Sequence, residues 1–269
     1  MSVYRNSKPD EVQLCLESLF GQTETSDDLV IVIDGEIPVA LQSYLSIVSS
    51  EHSEIHLFPL NENVGLGNAL KYGMKHCQHE LIARMDTDDI CEKTRFEKQL
   101  KCFEMDPKLS IVGSNIGEFI GDMTNVIGYR NVPAQHSEIC KYLKKRCPFN
   151  HMTVMFRKSE VERSGGYLDW HYNEDSYLWV RMYLAGCKFK NLEENLVYAR
   201  VNAETYMRRG GWKYYKSERD LFRFMKEKKV IGWFAYQKQR LIRFIVQILM
   251  PNWFRQWFFV KFARSRKIA

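Results

Sequence analysis

Leu29–Ile33 is the segment that most restricts how this chain can fold, because five consecutive apolar residues run directly into Asp34-Gly35. A run of this kind, rich in Val and Ile, is typical of a strand buried on both faces, as in a parallel sheet covered by helices. Apolar residues at helical spacing predict helices over Pro9–Phe20 and Gly65–Cys77. Two further short strands are predicted at Ile55–Phe58 and Leu81–Met85. This alternation predicts an α/β fold built on a doubly wound, mostly parallel sheet.

The alternation continues and then weakens along the middle of the chain. Apolar residues between 96 and 103 recur at helical spacing, and Leu109–Val112 has the pattern of a strand. Residues 114–170 are expected to form shorter strands and loops, followed by a helix that begins near Glu174. The sequence therefore divides near residue 113 into a regular α/β part and a less regular part.

Composition narrows the class of protein. A chain of 269 residues with 45% hydrophobic content can bury a substantial core, and its length suggests one domain with an appendage. The seven cysteines form no CxxC pair and are odd in number, so neither a zinc site nor a disulfide framework is indicated. The first residues lack the regions of a signal peptide, and a membrane-spanning helix is not expected because no run of about eighteen apolar residues occurs. We expect a globular protein with reduced thiols in a cytosolic setting.

The end of the chain differs from the rest in charge. The net charge is +6, yet Lys228–Ala269 alone holds ten Lys or Arg residues, ten aromatic residues and no Asp or Glu. Residues 218–269 are therefore expected to form a helical tail that associates with an anionic membrane surface, because Trp and Phe beside Lys and Arg favour that interface. The alternative is a helix packed on the catalytic body. Nucleic-acid binding is not expected, because no RNP, KH or zinc-finger pattern occurs.

An acidic cluster follows the predicted strand at Leu81–Met85. Asp86, Asp88 and Asp89 would lie at the carboxyl edge of the parallel sheet, where open α/β folds bind ligands. Carboxylate oxygens suit Mg²⁺ or Mn²⁺, and such an ion could assist the departure of a nucleoside diphosphate. A turn whose aspartates cap the next helix is the alternative.

Two other segments could meet a nucleotide at the same edge. Asp34 closes its strand and could accept hydrogen bonds from a base or ribose, although a simple turn would have the same sequence. Asn63 and Gly65 precede a helix, where a glycine-eased turn would let backbone N–H groups approach an anion or would serve as a turn alone.

Candidate catalytic carboxylates lie in the second half of the chain. Asp175, with Glu174 beside it, begins a predicted helix and could deprotonate an acceptor hydroxyl, which would give single displacement with inversion. The alternative is an acidic pair that complements the helix dipole.

One histidine and two arginines complete the set of candidate site residues. His151 could bind metal or phosphate, but a hydrogen-bonded structural role fits its aromatic setting equally. Arg208 and Arg209 precede two glycines and could clamp a diphosphate or form a solvated basic loop.

Taken in order, these segments resemble the family 2 inverting glycosyltransferases, particularly the bacterial enzymes that build O-antigen and capsule repeat units. The resemblance spans nearly the whole body of the chain. It rests on SVYRNSKPDEVQLCLESLFGQT, LVIVIDG, NENVGLGNALKYG, ARMDTDD, PFNHMTVMF, GGY, NEDSYLWVRMYLAG and RRGG. It implies the type A (GT-A) nucleotide-diphospho-sugar fold over residues 1–217, with a nucleotide-sugar half at about 1–113 and an acceptor half at about 114–217.

The resemblance also implies roles for individual residues. Asp34 is similar to the uracil-binding aspartate, Asp86 and Asp88 to the DxD pair that meets diphosphate and metal, and Asp175 to the catalytic base. The donor-binding positions that it implies further are Val3, Tyr4, Asn63, Gly65, Arg84, His151, Arg208 and Arg209. Only Met1–Tyr4 is available for the family's first strand, so that strand is expected to be very short.

The expected activity is transfer of a hexose or N-acetylhexosamine from a UDP-sugar, with Mn²⁺ or Mg²⁺, to a sugar carried on a polyprenyl diphosphate. The reaction would take place at the cytoplasmic face of a bacterial inner membrane. The alternatives are a nucleotidyltransferase, which also needs paired carboxylates and a divalent ion, and a non-catalytic sugar-binding or membrane-adaptor protein on the same fold.

Overall fold

The structure is a computed structural model that describes residues 1–170, 172–202 and 210–251. Its first part alternates strands and helices as expected: β1 (Ser2–Val3), α1 (Pro9–Phe20), β2 (Leu29–Ile33), α2 (Val39–Glu51), β3 (Ile55–Pro59) and α3 (Leu66–His76). The three strands form a parallel sheet in the order β1-β2-β3. All five residues of β2 are buried, as the apolar run predicted. β1 has two residues and pairs through Ser2 with Val32.

The second part is more complex than the sequence suggested. Its elements are β4 (Leu81–Ala83), β5 (Ile90–Cys91), α4 (Arg95–Met105), β6 (Leu109–Phe119), β7 (Val126–Arg130), α5 (His136–Leu143), a 3₁₀ turn (His151–Thr153), β8 (Met155–Arg157), α6 (Lys158–Arg163), α7 (Glu174–Leu184) and β9 (Lys188–Arg200). They form a six-stranded sheet. Five of its strands have the order β4-β8-β6-β9-β5, and the sixth strand, β7, pairs with β6 outside this order. The helix predicted to begin near Glu174 is confirmed as α7.

The α/β class is confirmed, but a mostly parallel sheet was wrong for residues 81–200. Only β6 and β9 pair in parallel there, whereas the pairs β4–β8, β6–β8, β6–β7 and β5–β9 are antiparallel. The connection from β6 to β7 is a short loop, and a parallel pair would need a longer crossover. The part of β6 beyond Val112 and the whole of β9 were not predicted. Gly and polar residues interrupt the apolar pattern of both strands.

The described part of the expected tail packs on the body of the protein. It contains α8 (Gly211–Glu227), α9 (Trp233–Phe244) and a π-helical turn at Ile245–Leu249. Leu221, Phe222, Met225 and Tyr236 are buried in one hydrophobic cluster with Trp179 of α7. The expected boundary between residues 217 and 218 falls inside α8, so this helix belongs as much to the body as to the tail. Within the described ranges, we find no helix long and apolar enough to cross a membrane; residues 252–269 lie outside them.

Candidate active site

The acidic residues lie along a cleft at the edge of the first sheet. This cleft has a volume of about 580 Å³ and is lined by Asp86, Asp88 and Asp89 together with Tyr4, Lys8 and Arg200. The loop that holds the aspartates follows β4 and is tied to the N-terminal elements, because the Cys15 thiol donates to the Asp86 carbonyl over 3.2 Å. The three carboxylates follow a strand as predicted, but the prediction of a parallel sheet was wrong here, because β4 belongs to the six-stranded sheet and pairs antiparallel with β8.

The three carboxylates form a compact group. Asp86, Asp88 and Asp89 each offer an oxygen, and these oxygens lie within 4.8 Å of one another. Burial, with repulsion from Asp86, raises the pKa of Asp88 to about 6, although its side chain still faces the open cleft. Burial and both neighbouring carboxylates raise the pKa of Asp89 as well. Negative charges this close together repel each other unless a cation lies between them.

Asp89 is fixed by the strand on the far side of the cleft. Its Oδ1 accepts the backbone N–H of Arg200 over 2.9 Å, while its Oδ2 is buried and has no hydrogen-bond partner among the described residues. Arg200 also donates from Nε to the Asp88 carbonyl over 3.2 Å. An orphaned buried carboxylate oxygen is costly unless a ligand satisfies it. The three carboxylates therefore fit a hard divalent cation, whose preferred ligands are oxygens.

Arg84 lies directly behind this group. Its guanidinium is almost fully buried and its Nη2 is 2.5 Å from Asp86 Oδ1. Its Nε and Nη1 atoms have no hydrogen-bond partner within the part of the chain that the structure describes. Unsatisfied guanidinium donors can bind an anion, but Arg84 lines neither described cleft, so its expected role in donor binding stays a prediction.

Asp34 occupies a different position from the one its expected role suggests. It is buried and does not line the 580 Å³ cleft. Its carboxylate accepts the backbone N–H of Val64 over 2.7 Å, the N–H of Gly65 over 3.2 Å and the amide of Asn63 over 3.0 Å. The N–H groups that we expected to approach a ligand anion therefore bind the Asp34 carboxylate instead. Uracil binding by Asp34 stays a prediction.

This loop depends on glycine. A Cβ at Gly35 would lie 2.6 Å from the backbone nitrogen of Asn63, and Gly35 has a φ of +79°. Gly65 has a φ of +82° as the residue before α3. Both positions favour glycine, since left-handed backbone is strained for other residues. Val3 contributes through its carbonyl, which accepts the Asp34 N–H over 2.8 Å, because its side chain is fully buried.

Asp175 lies in a second cleft of about 560 Å³ that adjoins the first. Arg130, Tyr172 and Tyr214 line both clefts and so mark their boundary. The thiol of Cys147 lies 3.5 Å from Asp175 Oδ2. Burial and the Asp175 charge raise the pKa of this thiol to about 12, so Cys147 stays protonated and can donate. The carboxylate group and Asp175 therefore face neighbouring compartments.

Glu174 lines neither of the two clefts formed by the described residues. Its side chain packs against α3, where a Cβ on Gly67 would lie 3.3 Å from Glu174 Cβ. Burial and the adjacent Asp175 charge raise the pKa of Glu174 to about 7. Both residues also lie in the first turn of α7, where negative charge complements the helix dipole. Of the pair, Asp175 is the one that lines a described cleft.

His151 has the structural environment that we gave as its alternative. Its Nε2 lies 2.8 Å from the Tyr167 hydroxyl, and it lines neither described cleft. Burial, with the nearby Arg84 charge, holds the pKa of His151 well below its usual range, so the ring is neutral. Arg208 and Arg209 lie outside the described residues.

Sequence reasoning missed several residues that line the clefts. Arg130 and Arg200 end strands that were not predicted, and Tyr172 and Tyr214 lie just outside the motifs that the sequence analysis used. Tyr172 has a φ of +58°, which is strained for a non-glycine residue and is often found at functional sites. Only the position of these side chains beside the acidic group identifies them.

Sequence comparison places the chain among glycosyltransferases. The model of the family "Glycosyl transferase family 2" matches residues 1–163. The chain is 42% identical over 83% of its length to an uncharacterized glycosyltransferase of Haemophilus influenzae, of which 82% is covered. It is 35% identical to the amylovoran biosynthesis glycosyltransferase AmsE of Erwinia amylovora, over 97% of each chain. It is 33% identical, over 98% of its length and 95% of the relative, to the Escherichia coli UDP-Gal:alpha-D-GlcNAc-diphosphoundecaprenol beta-1,3-galactosyltransferase.

Solved structures confirm the GT-A fold. Residues 1–349 of S. aureus TarS, in complex with UDP-GlcNAc, superpose with a TM-score of 0.65 at 15% identity, covering 91% of this chain and 71% of that one. A longer structure of S. aureus TarS also matches, and this chain covers 42% of the length of that structure. The mannosyltransferase PcManGT from Pyrobaculum calidifontis, in complex with GDP-Man and Mn²⁺, gives a TM-score of 0.62 at 14% identity, covering 94% of this chain and 70% of that one.

The family model covers more than half of the chain, and the expected resemblance is confirmed. The protein is an enzyme of the transferase class, and its acidic cleft has the composition that a divalent ion requires. The chain belongs to glycosyl transferase family 2.

Proposed function

We propose that this enzyme transfers a hexose or N-acetylhexosamine from a UDP-sugar to a sugar carried on a polyprenyl diphosphate, in the synthesis of a bacterial surface polysaccharide. The observation that carries the proposal is the pair of adjoining clefts. The acidic group Asp86, Asp88 and Asp89 lines one cleft, and Asp175 lines the other. A donor diphosphate and an acceptor hydroxyl need these two different environments side by side.

Two relatives support the choice of substrates. The E. coli relative is named for a UDP-Gal donor and an alpha-D-GlcNAc-diphosphoundecaprenol acceptor, and it aligns with nearly the whole chain. S. aureus TarS, which shares the fold, has been solved with UDP-GlcNAc. A uridine diphosphate donor and a lipid-linked sugar acceptor are the simplest substrates for this chain.

The donor would lie across the acidic cleft. Asp86, Asp88 and Asp89 would hold Mn²⁺ or Mg²⁺, which, when bound, supplies positive charge that neutralises the departing diphosphate. Arg84 would donate its two unsatisfied N–H groups to the same anion, while its Nη2 keeps Asp86 in place. Tyr4 lines the entrance beside β1, where the nucleoside would pack.

Asp175 would act as the catalytic base. Its carboxylate takes the proton of the acceptor hydroxyl, whose oxygen forms a bond to the anomeric carbon of the donor sugar. The bond between that carbon and the diphosphate oxygen breaks, and its electron pair leaves with UDP. Attack on the face opposite the leaving group inverts the anomeric centre and gives a β-linkage from an α-linked donor. The neutral Cys147 thiol, 3.5 Å from Asp175 Oδ2, orients the carboxylate.

The surface of α9 supports attachment to a membrane. Trp233 and Phe234 are 57% and 83% exposed at its first turn, and Leu241 is 59% exposed further along. Two exposed basic residues, Lys238 and Arg240, lie between them on the same helix. Apolar and basic side chains together favour the headgroup region of an anionic bilayer. We place the enzyme at the cytoplasmic face of the inner membrane, where a polyprenyl-linked acceptor would be reached.

The test is a panel of nucleotide sugars with the purified enzyme, Mn²⁺ and GlcNAc-diphosphoundecaprenol in detergent, with released nucleoside diphosphate and glycolipid product both measured. We expect one UDP-sugar to give UDP and a product of one added sugar. Asp88→Ala should abolish both signals, whereas Asp27→Ala, at an exposed aspartate far from the cleft, should not. Release of pyrophosphate, or no product with any donor, would contradict the proposal.

A further inference from the structure

The second cleft has a cationic end and an apolar wall. Besides Asp175, it is lined by Lys145 and Arg146 from the loop after α5 and by Arg130 at the boundary with the first cleft. Its wall is made of Leu221 and Met225 of α8 with Ile242 of α9. A compartment of this volume and composition is suited to a ligand that is partly anionic and partly hydrocarbon.

The cationic end is available for a ligand. Lys145 and Arg146 are exposed, and neither forms an ion pair with any described residue. Arg243, also in the cleft, is already paired with Glu218 at 2.8 Å. Besides the Arg243–Glu218 pair, the cleft is lined by three positive charges, those of Lys145, Arg146 and Arg130, and by the carboxylate of Asp175. This excess contrasts with the first cleft, where carboxylates dominate.

The apolar wall continues onto the surface that we assign to the membrane. Ile242 is 38% exposed, and its neighbours Leu241, Ile245 and Leu249 on α9 and the following turn are 43% to 61% exposed. An isoprenoid chain could pass from a bilayer along these apolar side chains to Ile242 in the cleft.

We infer that the cleft between α7, α8 and α9 binds the polyprenyl diphosphate of the acceptor, with the diphosphate at Lys145 and Arg146 and the first isoprene units against Leu221, Met225 and Ile242. This inference rests on the proposed function for the identity of the acceptor. Residues 252–269 of the same chain are a less suitable occupant of this cleft. They contain five Lys or Arg and no Asp or Glu, so the positive charges of Lys145 and Arg146 would repel them. A doubly charged diphosphate complements the cleft.

The size of the cleft also limits the acceptor's glycan. Asp175 and Arg146 line the same compartment of about 560 Å³, and the inference extends to an acceptor with one sugar between the reacting hydroxyl and the diphosphate. The enzyme then adds the second sugar of the glycolipid. The reaction that supplies its acceptor is transfer of a sugar phosphate to a polyprenyl phosphate, which creates the diphosphate.

Binding is measured first, because it does not depend on turnover. Calorimetry with UDP-saturated enzyme and farnesyl diphosphate should give a Kd that rises about tenfold to a hundredfold in the double variant Lys145→Glu/Arg146→Glu. Lys101→Glu, at an exposed lysine on α4, should leave it unchanged. Inorganic diphosphate and farnesol, tested separately, should each bind more weakly than farnesyl diphosphate. An unchanged Kd in the double variant, or no binding by the wild type, would overturn the inference.

Transfer assays then separate this inference from the proposed function. With acceptors that carry one or three sugars on the diphosphate, we expect transfer to the first and at least tenfold lower kcat/KM for the second. The double variant should raise KM for the one-sugar acceptor and leave KM for the UDP-sugar unchanged. Binding of farnesyl diphosphate without any transfer would reject the proposed function alone. Equal use of both acceptors would reject the one-sugar limit.

Discussion

Arg84 and Asp86 form an ion pair at the back of the acidic cleft, with 2.5 Å between Arg84 Nη2 and Asp86 Oδ1. The pair leaves Nε and Nη1 of Arg84 buried and without a hydrogen-bond partner among the described residues. Arg84 therefore holds one carboxylate of the acidic group, and we predict that it also binds the donor.

Replacement of Arg84 should weaken nucleotide binding. Arg84→Met removes the two free donors and the charge beside Asp86, so we expect Kd for UDP in the presence of Mn²⁺ to rise tenfold or more. Isothermal titration calorimetry measures this change. Arg163→Met, at an exposed arginine of α6, is the matched control and should bind UDP like the wild type. Equal UDP affinity in Arg84→Met would remove Arg84 from the donor site.

Glu174 should make folding stability depend on pH. Because the pKa of Glu174 is about 7 in the folded protein, the folded state holds this proton at pH values where the unfolded chain has released it. The stabilising contribution is therefore complete below about pH 4.5 and is lost as the pH rises through about 7. The loss amounts to up to about 3 kcal/mol.

Urea unfolding of wild type and Glu174→Gln at pH 5 and pH 8 tests this prediction. The variant does not titrate, so its stability relative to the wild type should improve between the two pH values. Glu104→Gln, at an exposed glutamate of α4, should show no such change. A constant difference between wild type and Glu174→Gln at both pH values would mean that Glu174 is ionised throughout.

Membrane attachment should depend on the exposed aromatic residues of α9. Trp233→Ser/Phe234→Ser removes two large apolar side chains from the surface, so we expect flotation with anionic liposomes to fall severalfold. Truncation before α9 is a poorer test, because Tyr236 of that helix is buried against the body. Leu14→Ser, at a half-exposed leucine of α1, is the control. Undiminished flotation of the double variant would assign attachment to another part of the chain.

The first half of the fold could be predicted because its signals are local. Leu29–Ile33 is apolar throughout and Pro9–Phe20 has helical spacing, so burial and periodicity agree on each element. The helix α2 was missed although Leu41, Leu45 and Val48 follow helical spacing, because serines and an N-terminal proline obscure it. The long strands β6 and β9 were missed because their partners lie far apart in sequence, where local patterns carry no information.

The residues of the candidate site also fall into two groups, those that the local sequence could identify and those that it could not. Asp86, Asp88 and Asp175 could be recognised because each follows or begins a regular element at a position with chemical meaning. Arg130 and Arg200 could not, since their place beside the cleft depends on the pairing of β6 with β7 and β9. The loop at Asn63–Gly65 was interpreted as a ligand contact because sequence cannot show that Asp34 already occupies its N–H groups.

The most direct test of the account is single-turnover transfer by Asp175→Asn, with Glu174→Gln as the matched control. Because Asp175 lines the cleft assigned to the acceptor, we expect Asp175→Asn to slow transfer about a thousandfold while Kd for UDP stays as in the wild type. Glu174→Gln, at the residue that faces neither described cleft, should slow it much less. Transfer by Asp175→Asn at the wild-type rate would contradict the account, because the acceptor would then be deprotonated by another group.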